Sequence, residues 1–188
     1  MGYLKYVQQL YKKPKATLGP VYKERLIKLR RAPTVHRVEH PTRPDKARQY
    51  GYKAKKGIFV VSVKVNRGGK KRHHLMSGRK PVNSHSQLLL RKNHQTIADE
   101  RASRDFPNAE VLGSYWVAED GLHVWYEVVL ADREKVSTYQ GYEWLSGPKG
   151  RAFRGITSSS RKSRGLRRKG KGSEKTRPSL AAHKGLGN

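Results

Sequence analysis

The charged residues of this chain are segregated along its length, and this constrains where a compact fold can form. Residues 1–93 contain 25 lysines and arginines against 3 acidic residues, residues 94–148 contain 4 against 10, and residues 149–188 contain 13 against 1. A net charge of +28 destabilises a compact state unless a polyanion neutralises it. All three tryptophans lie between residues 94 and 148. We therefore expect the hydrophobic core to centre on that segment and the polyanion to bind elsewhere.

Composition limits the class of protein and of partner. The polyanion that such a charge attracts is first a nucleic acid and second an anionic membrane surface. No apolar run is long enough to cross a bilayer, and the first residues lack a signal-peptide pattern, so we expect a soluble intracellular protein. The absence of cysteine excludes disulfides and thiolate metal sites. Only 35% of the residues are hydrophobic, which is less than in a typical globular domain.

The residue pattern predicts three regions. Residues 1–32 are expected to form an N-terminal helical extension, residues 33–148 an α+β core, and residues 149–188 a basic extended tail. The apolar residues of the tail have no period, so the tail cannot bury enough surface to offset the entropy of its ordering. A basic loop, residues 67–86, is expected within the core region.

Hydrophobic periodicity predicts the elements of the core. Helices are expected at residues 3–11, 21–31, 44–50 and 87–105, and strands at residues 34–39, 58–65, 111–117 and 123–130. Asp120 and Gly121 favour a hairpin between the last two strands. This order predicts an α+β fold with a mainly antiparallel sheet and helices on one face, plus the long basic loop and the extended C-terminal tail.

Local signals indicate where the helices begin and end. Thr42 and Asp45 have the spacing of a capping box, and Gly51 suits the end of the short helix. The residues expected to cluster on one side of the long helix are Leu90, Ile97, Ala98 and Arg101. Its solvated face is expected to carry Asp99, Glu100 and Asp105.

The segment from residue 42 to residue 56, called here the 42–56 segment, combines cations with tyrosines. Arginine pairs bidentately with phosphate, and tyrosine can stack on an unpaired base. The residues predicted there to bind RNA are Arg43, Lys46, Arg48, Tyr50, Tyr52, Lys53, Lys55 and Lys56. A solvated charged helix with tyrosines in the core remains the alternative, although the basic loop and tail favour RNA contact.

The basic loop and the tail supply the other cations predicted to bind RNA. Those of the loop are Arg67, Lys70, Lys71 and Arg72. Those of the tail are Arg154, Arg161, Lys162, Arg164, Arg167, Arg168, Lys169, Lys171, Lys175 and Arg177.

Enzymatic motifs are weak. His73 and His74 lie inside the cationic loop, which repels divalent metal ions, although a histidine pair could serve a ribonuclease. The glycines of residues 165–172 have nearly the spacing of a P-loop, but Gly172 stands where Ser or Thr would hold magnesium. We expect no catalytic residues, metal or cofactor. A ribonuclease and an architectural DNA-binding protein remain as alternatives to an RNA-binding protein.

Four sequence blocks resemble a known family. They are residues 41–57 (PTRPDKARQYGYKAKKG), 100–121 (ERASRDFPNAEVLGSYWVAEDG), 153–166 (FRGITSSSRKSRGL) and 170–179 (GKGSEKTRPS). With the segments between them, they make the whole chain similar to large-subunit ribosomal protein fifteen of the archaeal and eukaryotic type, and the last block is closer to archaeal members. Gly113 departs from the asparagine expected in the family, and Ala118 departs from a glycine.

The resemblance implies a structural, non-enzymatic role in the cytoplasmic ribosome. The implied partners are large-subunit ribosomal RNA and neighbouring large-subunit proteins, without a membrane, a cofactor or a small-molecule substrate. The implied fold is an α+β core, like that of large-subunit protein twenty-three, with long extensions that thread the RNA. If the family's asparagine contacts a base, Gly113 removes that contact here.

Overall fold

The computed structural model describes residues 2–71, 77, 87–88, 90–167, 170 and 174. The helices are α1 (Leu4–Leu10), α2 (Pro14–Thr17), α3 (Gly19–Arg31), α4 (Pro44–Gln49), α5 (His94–Asp105), α6 (Arg133–Val136), a 3₁₀ helix (Glu143–Ser146) and α7 (Ser158–Ser163). The strands are β1 (Val35–Val38), β2 (Ile58–Asn66), β3 (Lys70–Lys71), β4 (Gln87–Leu88), β5 (Ala109–Glu119) and β6 (His123–Asp132).

Four strands form one antiparallel sheet in the order β1-β2-β6-β5. The long strands β5 and β6 are consecutive in the chain and meet at the hairpin predicted at Asp120. The Asp120 carboxylate accepts hydrogen bonds from the backbone N–H groups of Leu122 (2.8 Å) and His123 (2.6 Å), which fixes this turn. The α+β class and the antiparallel sheet are therefore confirmed.

Helices cover both faces of the sheet, rather than one face alone. One face, with Val60 and Trp125 at its centre, packs against Tyr22 of α3 and Ala47 of α4. The opposite face packs against α5, whose small side chains allow a close approach. The buried residues of that second layer are Val61, Val63, Val65, Ala98, Ala102, Ala109, Val111, Val128, Leu130 and Ala152. Both faces of β2 are buried, so the strand carries valines on both sides. Val61, Val63 and Val65 share one face, as the alternation in the sequence predicted.

The long helix begins later than predicted. Residues 87–88 form β4, which pairs with β3, and Leu90 lies outside the helix with 39% of its surface exposed. The side chain of Asn93 caps α5 by accepting a hydrogen bond from the Thr96 N–H at 2.7 Å. Helical periodicity across residues 87–93 was therefore misleading, because strand pairing and a cap residue determine where α5 begins. Helix α2 was not predicted.

Two local predictions about carboxylates were wrong. Asp99 does not lie on a solvated helix face: it is fully buried between α5 and α7. The capping box does not form at α4, since Arg43 precedes this helix and no side chain caps it. Instead, Asp45 binds the Arg43 guanidinium, and the Thr42 N–H donates to a glutamate of β6. Gly51 does follow the end of α4, with a positive φ of 86°.

Residues 149–167 are folded against the core, although they were predicted as part of an extended tail. The backbone N–H groups of Gly150 and Arg151 donate to the buried Glu110 carboxylate at 2.7 and 3.1 Å. The Ser159 hydroxyl of α7 donates to the Asp99 carboxylate, and the Asn93 N–H donates to Ser163 Oγ at 3.1 Å. Hydrogen bonds between distant residues, together with the burial of Ala152 in the second layer of the core, order this part. Beyond residue 167, only residues 170 and 174 belong to the described part.

Asp99 makes stability depend on pH. Burial raises the pKa of Asp99 to about 6, against the opposing hydrogen bonds from Ser114, Ser159 and Thr157. A raised folded-state pKa contributes stability that is complete below about pH 4 and is lost as the pH rises through about 6. The loss is about 3 kcal/mol at about 1.4 kcal/mol per pH unit. Asp99→Asn should remove this dependence, as measured by urea unfolding between pH 4.5 and 7.5, a range that contains about 2 kcal/mol of the loss.

The buried Glu127 also has a raised pKa and contributes a trend of the same sign. The informative quantity is therefore the difference between the two proteins at each pH. If wild type and Asp99→Asn lose stability equally over this range, Asp99 does not titrate as described.

Candidate nucleic-acid interface

A buried carboxylate anchors the start of the 42–56 segment to the sheet. Glu127 of β6, which is 2% exposed, accepts hydrogen bonds from the Thr42 N–H at 3.1 Å and from the Tyr115 hydroxyl at 2.6 Å. Burial raises the pKa of Glu127, whereas the hydrogen bonds from Thr42 and Tyr115 lower it. This network fixes the position, relative to the sheet, of the residue from which the chain enters α4.

Arg43 lies inside the protein rather than on the interface predicted for it. Its guanidinium donates to the Asp45 carboxylate at 3.1 Å and to the Trp116 carbonyl at 3.3 Å. It also lies over the Tyr11 ring, 4.5 Å from the centroid, and only 8% of the residue is exposed. Its hydrogen bonds join α4 to β5, and its ring contact joins α4 to Tyr11 at the end of α1.

The two tyrosines of the 42–56 segment are half-buried and pack against the core. Tyr50 is stacked on Tyr115 with ring centroids 6.3 Å apart, and Tyr52 packs against the same cluster. Gly113 makes room for Tyr50, because a Cβ atom there would lie 2.9 Å from Tyr50 Cγ and closer still to Cδ1. The glycine at position 113, where the family is expected to have asparagine, therefore leaves space for the Tyr50 ring.

The remaining cations of the segment face outward. Arg48, Lys53, Lys55 and Lys56 are exposed, and Lys46 is half-buried with its ammonium 3.1 Å from the Gln49 side-chain oxygen. The ammonium groups of Lys53 and Lys55 lie over the rings of Tyr142 and Tyr139, each 5.2 Å from the centroid. These cation–π contacts hold both charges in defined positions at the surface.

The basic loop is described only in part. Arg67 is exposed and donates to the Asp120 carbonyl at 2.6 Å, and Lys70 is exposed on β3. Lys71 belongs to β3, but its side chain lies outside the described part. Six predicted RNA-binding residues and the histidine pair also lie outside the described residues: Arg72, Arg168, Lys169, Lys171, Lys175, Arg177, His73 and His74.

The described cations after residue 148 are displayed by the folded segment. Arg154 is exposed, and its guanidinium donates to the carbonyls of Pro148 (2.7 Å) and Lys149 (3.0 Å). Arg161 and Lys162 are exposed on α7, Arg167 is exposed just beyond it, and Arg164 is half-buried against the Gly155 carbonyl at 3.2 Å. These charges therefore have fixed positions relative to the core.

A cleft of about 700 Å³ was not foreseen from the sequence. It lies between the end of α4, the 3₁₀ helix and α7. The Arg151 guanidinium lies 4.8 Å from the centroid of the Trp144 ring and donates to the carbonyls of Val111 and Leu112 at 3.0 and 3.1 Å. Burial lowers the pKa of Arg151. Its hydrogen bonds join this segment to β5, about 40 residues earlier in the chain, and no local motif indicates that proximity.

Some acidic side chains of the described surface are paired with cations. Asp120 binds Arg30 at 2.8 Å, and Glu100 binds Lys92 at 2.7 Å. No group of acidic and histidine side chains in the described residues is arranged to hold a metal ion. Within the same residues, no helix is long and apolar enough to cross a membrane.

Comparison with known proteins determines the family. The family model described as Ribosomal L15 matches residues 2–183, nearly the whole chain. The chain belongs to the ribosomal L15e family. This membership confirms the resemblance carried by the four sequence blocks, and with it a ribosomal protein of the large subunit.

Archaeal members of the family are similar to this chain over almost their full length. The large ribosomal subunit protein eL15 of Nanoarchaeum equitans is 50% identical over 187 residues, covering 97% of this chain and 98% of the relative. The eL15 proteins of Methanocella arvoryzae and Methanocorpusculum labreanum are 45% and 43% identical, covering 95% and 97% of this chain and 94% and 96% of the relatives.

Proposed function

We propose that this protein is a structural, non-enzymatic component of the large subunit of cytoplasmic ribosomes that binds and stabilises large-subunit ribosomal RNA. Its neighbours would be other large-subunit proteins. The observation that carries the proposal is the set of exposed cations on the 42–56 segment, two of them held over tyrosine rings. Family membership supports the identity of the RNA.

The proposed mechanism is phosphate neutralisation from a rigid surface. Each lysine or arginine placed on a phosphate releases condensed counterions, so affinity is high and falls with salt. Because Lys53 and Lys55 are held over rings, less side-chain freedom is lost when they bind. The basic loop and the residues beyond 167 would extend the same contact along the RNA.

Neutralising Lys53 and Lys55 tests this mechanism. The Lys53→Gln/Lys55→Gln variant should flatten the log–log salt dependence of affinity for a large-subunit RNA fragment by about 1.4–1.8, since each phosphate contact contributes about 0.7–0.9. The matched control is Lys92→Gln/Lys135→Gln, which removes two exposed lysines that already face carboxylates at 2.7 and 3.5 Å. The control should change the slope little.

The same titration separates the alternatives. Equal affinity for the RNA fragment and for duplex DNA of the same length would favour an architectural DNA-binding protein. Cleavage of the RNA in a single-turnover assay would favour a ribonuclease. Equal slopes for the test and control variants would contradict phosphate binding by the 42–56 segment.

A further inference from the structure

The cleft beside Trp144 combines features that phosphate neutralisation alone does not require. Among the described residues, its lining contains aromatic, amide and cationic side chains and no acidic residue; those that bear on its chemistry are Gln49, Lys53, Gln140, Trp144, Arg151 and Arg167. Its volume of about 700 Å³ lies within the range of about 300–1,000 Å³ that is typical of sites for small organic groups. The lining therefore suits an anionic ligand with an aromatic part.

Trp144 is unusual for a tryptophan in this fold. It is 46% exposed, whereas Trp125 is buried at 1%. The Arg151 guanidinium lies over the indole ring and is held there by its hydrogen bonds to β5. Arg151 lies over one part of the ring, and the part left open to solvent is a surface on which a planar group can stack.

The rest of the lining supplies polar partners around that ring. Gln49 and Gln140 each carry an amide, which can both donate to and accept from the edge of a base. Lys53 and Arg167, both exposed, add positive charge to the same lining. The Tyr142 hydroxyl donates to the Gly51 carbonyl and so ties the exit of α4 to the loop before the 3₁₀ helix.

We propose that this cleft binds one unpaired nucleotide of the RNA, with its base stacked on Trp144 and its phosphate against Lys53 or Arg167. The inference rests on the proposed function, since it assigns a site within the same RNA complex. Bases inside a duplex are paired and stacked and cannot enter such a cleft, whereas an extruded base of a loop or bulge can. The site would add affinity only for RNA that offers an unpaired base.

Variants at Trp144 test the proposal. The probes are a short unstructured polyuridine RNA and a fully paired RNA duplex of equal length. Trp144→Ala should weaken affinity for the single strand by about 5- to 150-fold, the range for loss of base–aromatic stacking, and leave affinity for the duplex unchanged. Trp144→Phe should retain most of the affinity. Phe153→Ala, which removes an exposed ring outside the cleft (52% exposed), is the matched control and should change neither affinity.

Tryptophan fluorescence gives a second measurement. It is made on the wild-type protein, so it does not depend on a substitution that could destabilise the fold. Stacking of a base on Trp144 should quench the emission of the wild-type protein when the single strand is added, and Trp144→Phe should lose that quenching. If Trp144→Ala weakens binding of both RNAs equally, or of neither, the proposed nucleotide site is wrong, whereas the proposed RNA-binding function is unaffected. Failure of the wild-type protein to bind either RNA would instead contradict the proposed function.

Discussion

Deleting residues 168–188 should flatten the log–log salt dependence of binding to a large-subunit RNA fragment by about 2–5 units. The deleted residues contain six lysines and arginines against one glutamate, and each phosphate contact contributes about 0.7–0.9 to the slope. The cut falls after α7, so the hydrogen bonds of Glu110 and Asp99 to residues 150, 151 and 159 remain. Salt titrations of the intact and shortened proteins measure the change.

A longer deletion provides the contrast. Removing residues 149–188 also removes the hydrogen-bond donors to the buried Glu110 and Asp99 carboxylates, as well as Ala152 from the core. It should therefore lower the free energy of unfolding more than the shorter deletion does. An unchanged salt slope after the shorter deletion would show that residues 168–188 are not an RNA-binding arm, even though the family is correct.

Replacing Glu127 with alanine should lower the free energy of unfolding by about 2–4 kcal/mol. The substitution leaves the Thr42 N–H and the Tyr115 hydroxyl without their acceptor, and an unsatisfied buried polar group costs about 1–3 kcal/mol. Because Thr42 precedes α4, the loss should also displace the exposed cations of the 42–56 segment and weaken RNA binding. Urea unfolding and RNA titration measure the two effects.

Two matched variants distinguish the effect of losing the buried hydrogen bonds from the effect of losing a negative charge. Glu127→Gln keeps an acceptor for Tyr115 and should lose less stability than Glu127→Ala. Glu39→Ala removes an exposed carboxylate and should change stability by less than about 0.5 kcal/mol. If Glu127→Ala and Glu39→Ala have the same effect on unfolding, Glu127 does not anchor this segment.

Elements defined by nearby residues were predictable. The alternation of valines in β2 and the hairpin at Asp120 depend on residues a few positions apart, so the sequence indicated both. The start of α5 was not predictable in the same way, because residues 87–88 pair with residues 70–71 across the loop. The periodicity of residues 87–93 also fits a helix, and the distant pairing together with the Asn93 cap excludes it.

The same difference between local signals and distant contacts applies to the candidate site residues. The segment that carries the exposed cations was identified from its composition, but the burial of Arg43 depends on Tyr11 and Trp116, which are remote in sequence. Residues 149–167 have a composition typical of a disordered tail, yet Glu110 and Asp99 order them through hydrogen bonds. Composition gives the number of cations in a segment, but it does not indicate which distant residues those cations will bind.

The folded segment at residues 149–167 limits the reach of residues 168–188, because they start from a point fixed on the core. A fully extended chain covers about 3.3 Å per residue. Residues 168–188 therefore extend no further than about 70 Å from the end of the folded segment, a little over half the distance that residues 149–188 would span if all of them were extended. Under the proposed function, any nucleotide bound by residues 168–188 would lie inside that radius.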